Sequence, residues 1–466
     1  MKMSLSPLYA AQIALTQQMI HRGNAFYPRY HLAPPAGRMG NPNSLLWFDG
    51  RYHLFYQHNP LSTEPGRMYW GHASSTDLLR WFHEPLALAP DSEADFGGCS
   101  SGCAVNDNGN LSLIYTGQQT AQHEDMAGPS LCLATSKDGV RFEKQGVILS
   151  PPAGITDFRD PEVCFRAGQW WMVVNGLSEN NTEQCLIYRG SSLTEWALAG
   201  STLSVRNPVR GYADRFIEDQ LLLLTAPGPG GDPVTQDRLT RTPIGSAETL
   251  HPDQTMPAAS RDQQFSAPLS CLTPDGRRIL IAGMASPGSV IPTLPEGWAG
   301  YMSLPRELTE SGGELLQQPA REVRNLRRQT ASLPSGRLAA PRVIHDNALA
   351  IEAELCWDTK HATAKVYGLQ LGSGTRLLID QQAGWLTLYR GYPDEHPDDQ
   401  QRIRLPAAAR ITLRVFIDVS SLEAFVNDSG QVLSGRIYPR ADDRQLSLYV
   451  AQGEASLIRG ELSELS

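Results

Sequence analysis

The sequence predicts an all-β protein, a propeller followed by a sandwich, and three observations carry that prediction. First, the apolar runs are short: Leu45 to Phe48, His53 to Tyr56, Leu111 to Tyr115, Trp170 to Val174, Leu221 to Leu224 and Ile279 to Ala282. Each has strand length and is bounded by turn-forming residues. Second, past the first twenty or so residues no segment sustains a helical period. Third, a Ser or Thr, an acidic turn residue and an aromatic recur in SSTDLLRW, TSKDGVRF and GSSLTEW, ending at Trp81, Phe142 and Trp196, 61 and 54 residues apart. Intervals of that size suit four-stranded blades arranged radially. Unrelated hairpins with similar turn residues would give the same pattern, so at this level both readings stand.

Taken in order, residues 1–23 (MKMSLSPLYAAQIALTQQMIHRG) carry polar residues every few positions and no unbroken apolar core. They fit neither a signal peptide nor a membrane span and are expected to form an amphipathic helix of a cytoplasmic protein. Residues 24–310 hold the strand runs and form the expected propeller. Residues 311–340, with GGELLQQPAREVRNLRRQTASLPSGRL, are polar and lack a strand run, which suits a linker. From 341 to 466 strands alternate again, as in Leu413 to Val426, where Val415, Ile417 and Val419 alternate with Arg414, Asp418 and Ser420. A second antiparallel unit of this kind is most simply a β-sandwich.

The chain has 466 residues, 40 Lys plus Arg against 49 Asp plus Glu, and a net charge of −9. That length supports two domains with their own cores. Without a basic stripe to displace counterions, nucleic acid is excluded as a partner. The seven Cys, an odd number without metal-type spacing beyond Cys99 and Cys103, read as buried reduced thiols. No H-x-x-x-H or H-E-x-x-H pattern, no G-x-S-x-G elbow and no P-loop occurs, so no metal site and no cofactor are expected. The Pro227 to Gly231 stretch reads as a turn, since no strand-to-helix switch with a Lys follows it. The oligomeric state is left open.

Several motifs stand in one order: HLAPPAGRMGNPNSLLWFDGRYHLFYQHNP from His31, MYWGHASSTDLLRW from Met68, ITDFRDPEV from Ile155, EGWAGYMSLPREL from Glu296 and FIDVSSLEAFVND from Phe416. From about Asn24 to Ser466 the chain resembles glycoside hydrolase family 32, in particular its bacterial cytoplasmic invertase and sucrose-6-phosphate hydrolase branch. The resemblance implies five propeller blades, a C-terminal sandwich, a sugar site at the mouth of the axial channel, and hydrolysis of β-fructofuranosides with retention. Retention needs a nucleophilic carboxylate and a carboxylic acid about 5 Å apart.

Carried over by residue, the family's W-M-N-D-P-N-G motif is Arg38 to Ser44 here, and the nucleophile position holds Asn41. An amide is a poor nucleophile. Pro42 lacks the backbone N–H that deamidation through a cyclic imide requires, so Asn41 stays Asn. The acid/base motif E-C-P-D aligns with Gly211 to Asp214, placing Gly211 at the acid, with Arg210 before it and Tyr212 after it. No Glu lies between Glu195 and Glu218. The third motif is intact: Arg159 and Asp160 match the pair that binds fructose hydroxyls and stabilises the transition state. Asn43, Gln57, Trp70, His72 and Ser101 match further positions of the sugar site.

Exchange of two carboxyls for Asn41 and Gly211, with Arg38 and Arg210 at aromatic positions, reverses the sign of charge at the pocket mouth. At an effective dielectric near 20, one unit charge at about 4 Å is worth about 4 kcal/mol before desolvation. The expected ligand is therefore a small carbohydrate, favoured if phosphorylated or otherwise anionic. Alternatively, the two arginines point to solvent or pair with surface carboxylates. On this reading the chain is expected to be a sugar-binding or regulatory pseudoenzyme, with ordinary sucrose hydrolysis absent or very weak. The alternative is an enzyme acting on an unusual fructoside through rearranged residues such as Asp160, Asp214, Tyr212 or Glu218.

Overall fold

The structure is a computed structural model and describes residues 6–119, 128–203, 211–217, 220–225, 238–243, 254–257, 265–284, 291–311, 314–391 and 400–466. Five antiparallel sheets of four strands follow one another between Gly37 and Pro319. Their inner strands are Gly37–Phe48, Gly98–Asp107, Ile155–Arg166, Gly211–Ile217 and Phe265–Leu272. Each packs against the next and the last against the first, which closes a ring about a central axis. Late residues seal that ring: Trp298–Ala299 pairs in parallel with Gly37 and Arg38, adding a fifth strand to the first blade. The five-bladed propeller expected from the motifs is the fold observed.

Four of the short apolar runs, at 53–56, 111–115, 170–174 and 279–282, lie in middle strands buried on both faces, whereas Leu45 to Phe48 ends the first inner strand. Leu54, Phe55, Leu113, Ile114, Met172, Val174, Ile279 and Ala282 are each at most 2% exposed and fill the spaces between blades. The N-terminal helix Pro7–His21 is capped by the Ser6 hydroxyl, which accepts from the Tyr9 backbone N–H at 3.3 Å. Its Ala11 and Leu15 pack on Ala36, Tyr69, Leu86 and Ala89 of the propeller. No helix among the described residues is long and apolar enough to cross a membrane.

Residues 311–340 differ from the expected open linker. Glu314–Pro319 completes the fifth blade, and after the 3-10 helix Arg321–Leu326 the strands Arg327–Leu333 and Gly336–Leu338 both pair with Ala455–Leu465. The polar composition that hid these strands is that of edge positions, where one face meets water. The sandwich itself is two sheets, one of seven strands and one of six, closed over Leu355, Trp357, Tyr367, Leu369, Leu377, Ile379, Leu413 and Val415.

Strand Arg410–Asp418 is buried on both faces from Val415 onward. Its apolar face meets the second sheet, whereas Asp418 turns to the propeller and is 0% exposed. The Asp418 carboxylate accepts the backbone N–H groups of Arg29, Tyr30 and His31 at 2.8, 3.0 and 3.0 Å. The His31 ring spans from Asp418 (2.8 Å) to Glu423 (3.0 Å), and Arg306 donates to the other Glu423 oxygen at 2.5 Å. Buried charge is tolerated there because each carboxylate is met by several donors. All seven cysteines are free thiols.

Candidate active site

Four inner strands depart from regular pairing at the same level of the axis. Residues 40–41 face Gln57 alone, 100–101 face Thr116, 160–161 face Val174 and 267–268 face Ala282, two residues against one in each case. Such bulges bend the strand and re-aim a side chain. Three carry proline in or just after the bulge, Pro42, Pro161 and Pro268, which suits a position with no ladder hydrogen bond to donate. Asp160 and Ala267 have φ of 56° and 48°, a left-handed backbone that Asp tolerates better than Ala. In the second blade Gly102 is required, because a Cβ there would lie 2.0 Å from the Ile114 carbonyl oxygen.

The bulges bring Asn41, Ser101, Asp160 and Ser266 into one layer around the axis. Gln57 Nε2 donates to Ser101 Oγ at 2.7 Å, and the Ser101 hydroxyl in turn bonds the Asp160 carboxylate. Asn175 Nδ2 donates to Asp160 Oδ2 at 3.3 Å, and Arg159 Nε stands 3.6 Å from the same oxygen. The Asp160 amide is fixed by Thr116 Oγ1 at 3.2 Å. Burial raises the Asp160 carboxyl above the usual carboxylate range; Arg159, Ser101 and Asn175 oppose that rise without cancelling it. Across the axis, Ser266 Oγ donates to Asn41 Oδ1 at 3.0 Å.

A cavity opens along the axis, lined from four blades by Pro42 and Asn43, Ser101 and Gly102, Asp160 to Glu162, and Ala267 to Leu269. Asn43 is 4% exposed, and neither its Oδ1 nor its Nδ2 has a hydrogen-bond partner among the described residues. Among the described residues no group of three His, Cys, Asp or Glu could hold a metal ion.

The residues singled out in the sequence divide on inspection. Asn41, Asn43, Gln57, Ser101, Arg159 and Asp160 gather at the axis. Trp70 does not: it is wholly buried, and its indole N–H donates to the Ser100 carbonyl at 2.8 Å, so it supports the second blade's bulge instead of meeting a sugar. His72 is likewise buried, stacked on Phe55 at 4.3 Å, and burial holds its ring well below the ordinary histidine range. Arg38 is half-buried and donates to the Thr63 carbonyl at 3.1 Å, so it neither extends freely into solvent nor uses a surface carboxylate for this contact. Arg210 and Glu218 lie outside the described residues. Gly211, Tyr212 and Asp214 belong to the fourth inner strand, paired with Thr225, Leu224 and Leu222, and their side chains lie outside the description. Sequence reading passed over Glu162, Ser266, Asn175 and Thr116. Glu162 carried no simple periodic signal, because the bulge at 160–161 interrupts the two-residue repeat and its pairing with Val173 puts it in phase with Arg159 instead of Asp160.

Residues 31–319 match the model of the glycosyl hydrolases family 32 N-terminal domain, and residues 314–464 match that of the family 32 C terminal. The chain belongs to glycosyl hydrolase family 32. It is 46% identical to a sucrose-6-phosphate hydrolase of Escherichia coli, covering 99% of this chain and 100% of that one. It is 44% identical to a raffinose invertase of the same species, over 98% of each. In fold it follows the sucrose-6-phosphate hydrolase of Lactobacillus gasseri, with a TM-score of 0.82, 24% identity and coverage of 97% and 96%.

These relatives overturn the expectation of a sugar-binding or regulatory protein without hydrolase chemistry, since chains alike from end to end carry hydrolase names. The expectation of absent or very weak sucrose hydrolysis has no support among them either. It arose from the absence of carboxyls at two aligned positions, Asn41 and Gly211; the cavity that holds Asp160 is lined also by Glu162.

Proposed function

We propose that this chain hydrolyses a β-fructofuranoside of the sucrose type by rearranged residues, with Asp160 and Glu162 as its pair of carboxyl groups. The observation that carries this reading is that both line one cavity at the propeller axis. Glycoside cleavage needs one carboxylic acid to protonate the departing oxygen and a second, ionised carboxylate to act at the anomeric centre. Asp160 suits the acid: burial favours its protonated form, and the Gln57, Ser101 and Asn175 contacts hold it in one orientation. Arg159 and the Asn41 amide then serve as hydrogen-bond donors to sugar hydroxyls.

A phosphate-bearing substrate is the finer part of this reading. Relatives named sucrose-6-phosphate hydrolase support it, as does Arg38, a cation at the start of the first inner strand, three residues before Asn41. The test is release of reducing sugar from sucrose, sucrose 6-phosphate and raffinose by the purified protein beside Asp160→Asn and Glu162→Gln. Turnover that falls about 10²-fold or more in each variant is expected. No release from any of the three sugars, or rates unchanged in both variants, would refute the assignment.

A further inference from the structure

We propose that the outer face of the six-stranded sandwich sheet is a second, non-catalytic binding site that takes a sugar phosphate. The seven-stranded sheet is the one that meets the propeller, through Asp418 and Glu423, so the six-stranded sheet lies on the far side of the sandwich. Leu377, Ile379, Leu386, Leu388 and Ile403 point into the core, which turns the alternate residues of their strands outward. Across the middle of that outer face, Gly368, Leu378, Thr387 and Arg402 stand in register on four neighbouring strands, a row of about 14 Å. Gly368 has to be glycine, because at φ 154° a Cβ would lie 2.1 Å from the Leu377 carbonyl oxygen. Leu378 and Thr387 are 6% and 8% exposed, sunk between flanking rows that hold Arg376 and Tyr389 on one side and Trp385 on the other. The result is a shallow trough with an arginine at one end.

The arginines suit this trough to an anion. The guanidinium groups of Arg404 and Arg402 stand 4.0 and 4.7 Å from the centre of the Trp385 ring, and that of Arg376 stands 5.1 Å from the centre of the Tyr389 ring. Stacking of this sort holds a guanidinium in one plane and leaves its N–H edge to meet oxygen. Arg404 is fixed further by donating to the Ala383 carbonyl at 2.7 Å. None of the three has an ion-pair partner among the described residues, and there the Arg376 Nε is buried without an acceptor. Asp380, across from Trp385, is already engaged by the Ala383 N–H at 2.9 Å. On a chain of net charge −9, unneutralised cations gathered on one face attract an anionic ligand. Arg402 and Arg404 are two residues apart on one strand, about 7 Å, which lets both reach one phosphate group. The sugar then lies along the trough, its hydroxyls meeting Thr387 Oγ1 and Arg376 Nε and its apolar edge resting on Leu378.

The test is calorimetric titration of the purified protein with glucose 6-phosphate, glucose and inorganic phosphate, repeated on the paired change Arg402→Gln, Arg404→Gln and on Arg38→Ala. Glucose 6-phosphate is expected to bind about tenfold or more tighter than either glucose or inorganic phosphate, since it alone uses both the guanidinium edges and the trough. The paired change is expected to weaken that binding about tenfold or more with Tm and sugar release unchanged, because both side chains are exposed and lie in the sandwich. Arg38→Ala is expected to leave it within about twofold, since Arg38 sits on the first inner strand of the propeller. Binding that survives the paired change, or that is lost with Arg38→Ala, would place the phosphate elsewhere and overturn the proposal. So would an absence of binding, or inorganic phosphate binding as tightly as the sugar phosphate. Hydrolysis at the propeller axis is read separately, by sugar release, and stands or falls on its own result.

Discussion

Arg306→Met tests how the two domains are joined. Arg306 and Glu423 are both 0% exposed, and the guanidinium donates to the carboxylate at 2.5 Å. Glu423 is buried, which alone would raise its carboxyl, yet Arg306 and His31 hold it down at about 2. Set against the ordinary value of 4.5, that difference corresponds to roughly 3 kcal/mol of stability. Removing one partner of a buried ion pair costs about 3–5 kcal/mol, since the remaining charge has lost its main compensation, and the two figures agree. Because the folded carboxyl titrates below its unfolded value, this stability is present above about pH 4.5 and is lost as the pH falls towards 2. Urea unfolding of the wild type and of Arg306→Met, from pH 7 down to 3, measures both effects. The variant is expected to lose about 3 kcal/mol at pH 7 and to show a shallower decline in acid, with most of the loss recovered by the double change Arg306→Met, Glu423→Gln. A loss under about 1 kcal/mol at pH 7, or an acid decline as steep as that of the wild type, would refute the reasoning.

Ser101→Ala removes a donor that favours the ionised form of Asp160. The carboxyl should then titrate higher and stay protonated to higher pH, so the alkaline limb of the kcat/KM profile should move upward; a downward move would contradict the acid role. Arg38→Ala should raise KM for sucrose 6-phosphate about tenfold or more while changing that for sucrose less than twofold, as expected for loss of one charge-assisted hydrogen bond. Equal changes for the two sugars would remove Arg38 from phosphate recognition.

Much of the fold was legible because a blade's middle strand is buried on both faces. Such strands appear as short continuous apolar runs, and Leu111 to Tyr115 and Ile279 to Ala282 are what remains of that burial in one dimension. The strands within 311–340 were not legible, because they lie at sheet edges where composition follows solvent. Asp418 reads as the polar side of an alternating strand, yet that side meets the propeller; periodicity reports which residues share a face, not what covers it. At the site, Asp160 was found through its motif, whereas Glu162 needed the cavity to be seen. Trp70 erred in the opposite direction: a motif position does not say whether an indole meets ligand or packs behind the wall.

The carboxylate that receives the amides of Arg29, Tyr30 and His31 lies 387 to 389 residues further along the chain. At translation rates of about 5–20 residues per second, roughly 20 to 80 seconds separate the synthesis of the two sides of that joint. During that interval the nascent propeller presents three unanswered N–H groups at its leading edge, a seam that closes only when the final sheets have emerged from the ribosome. A propeller released early by a premature stop codon would carry this open seam permanently.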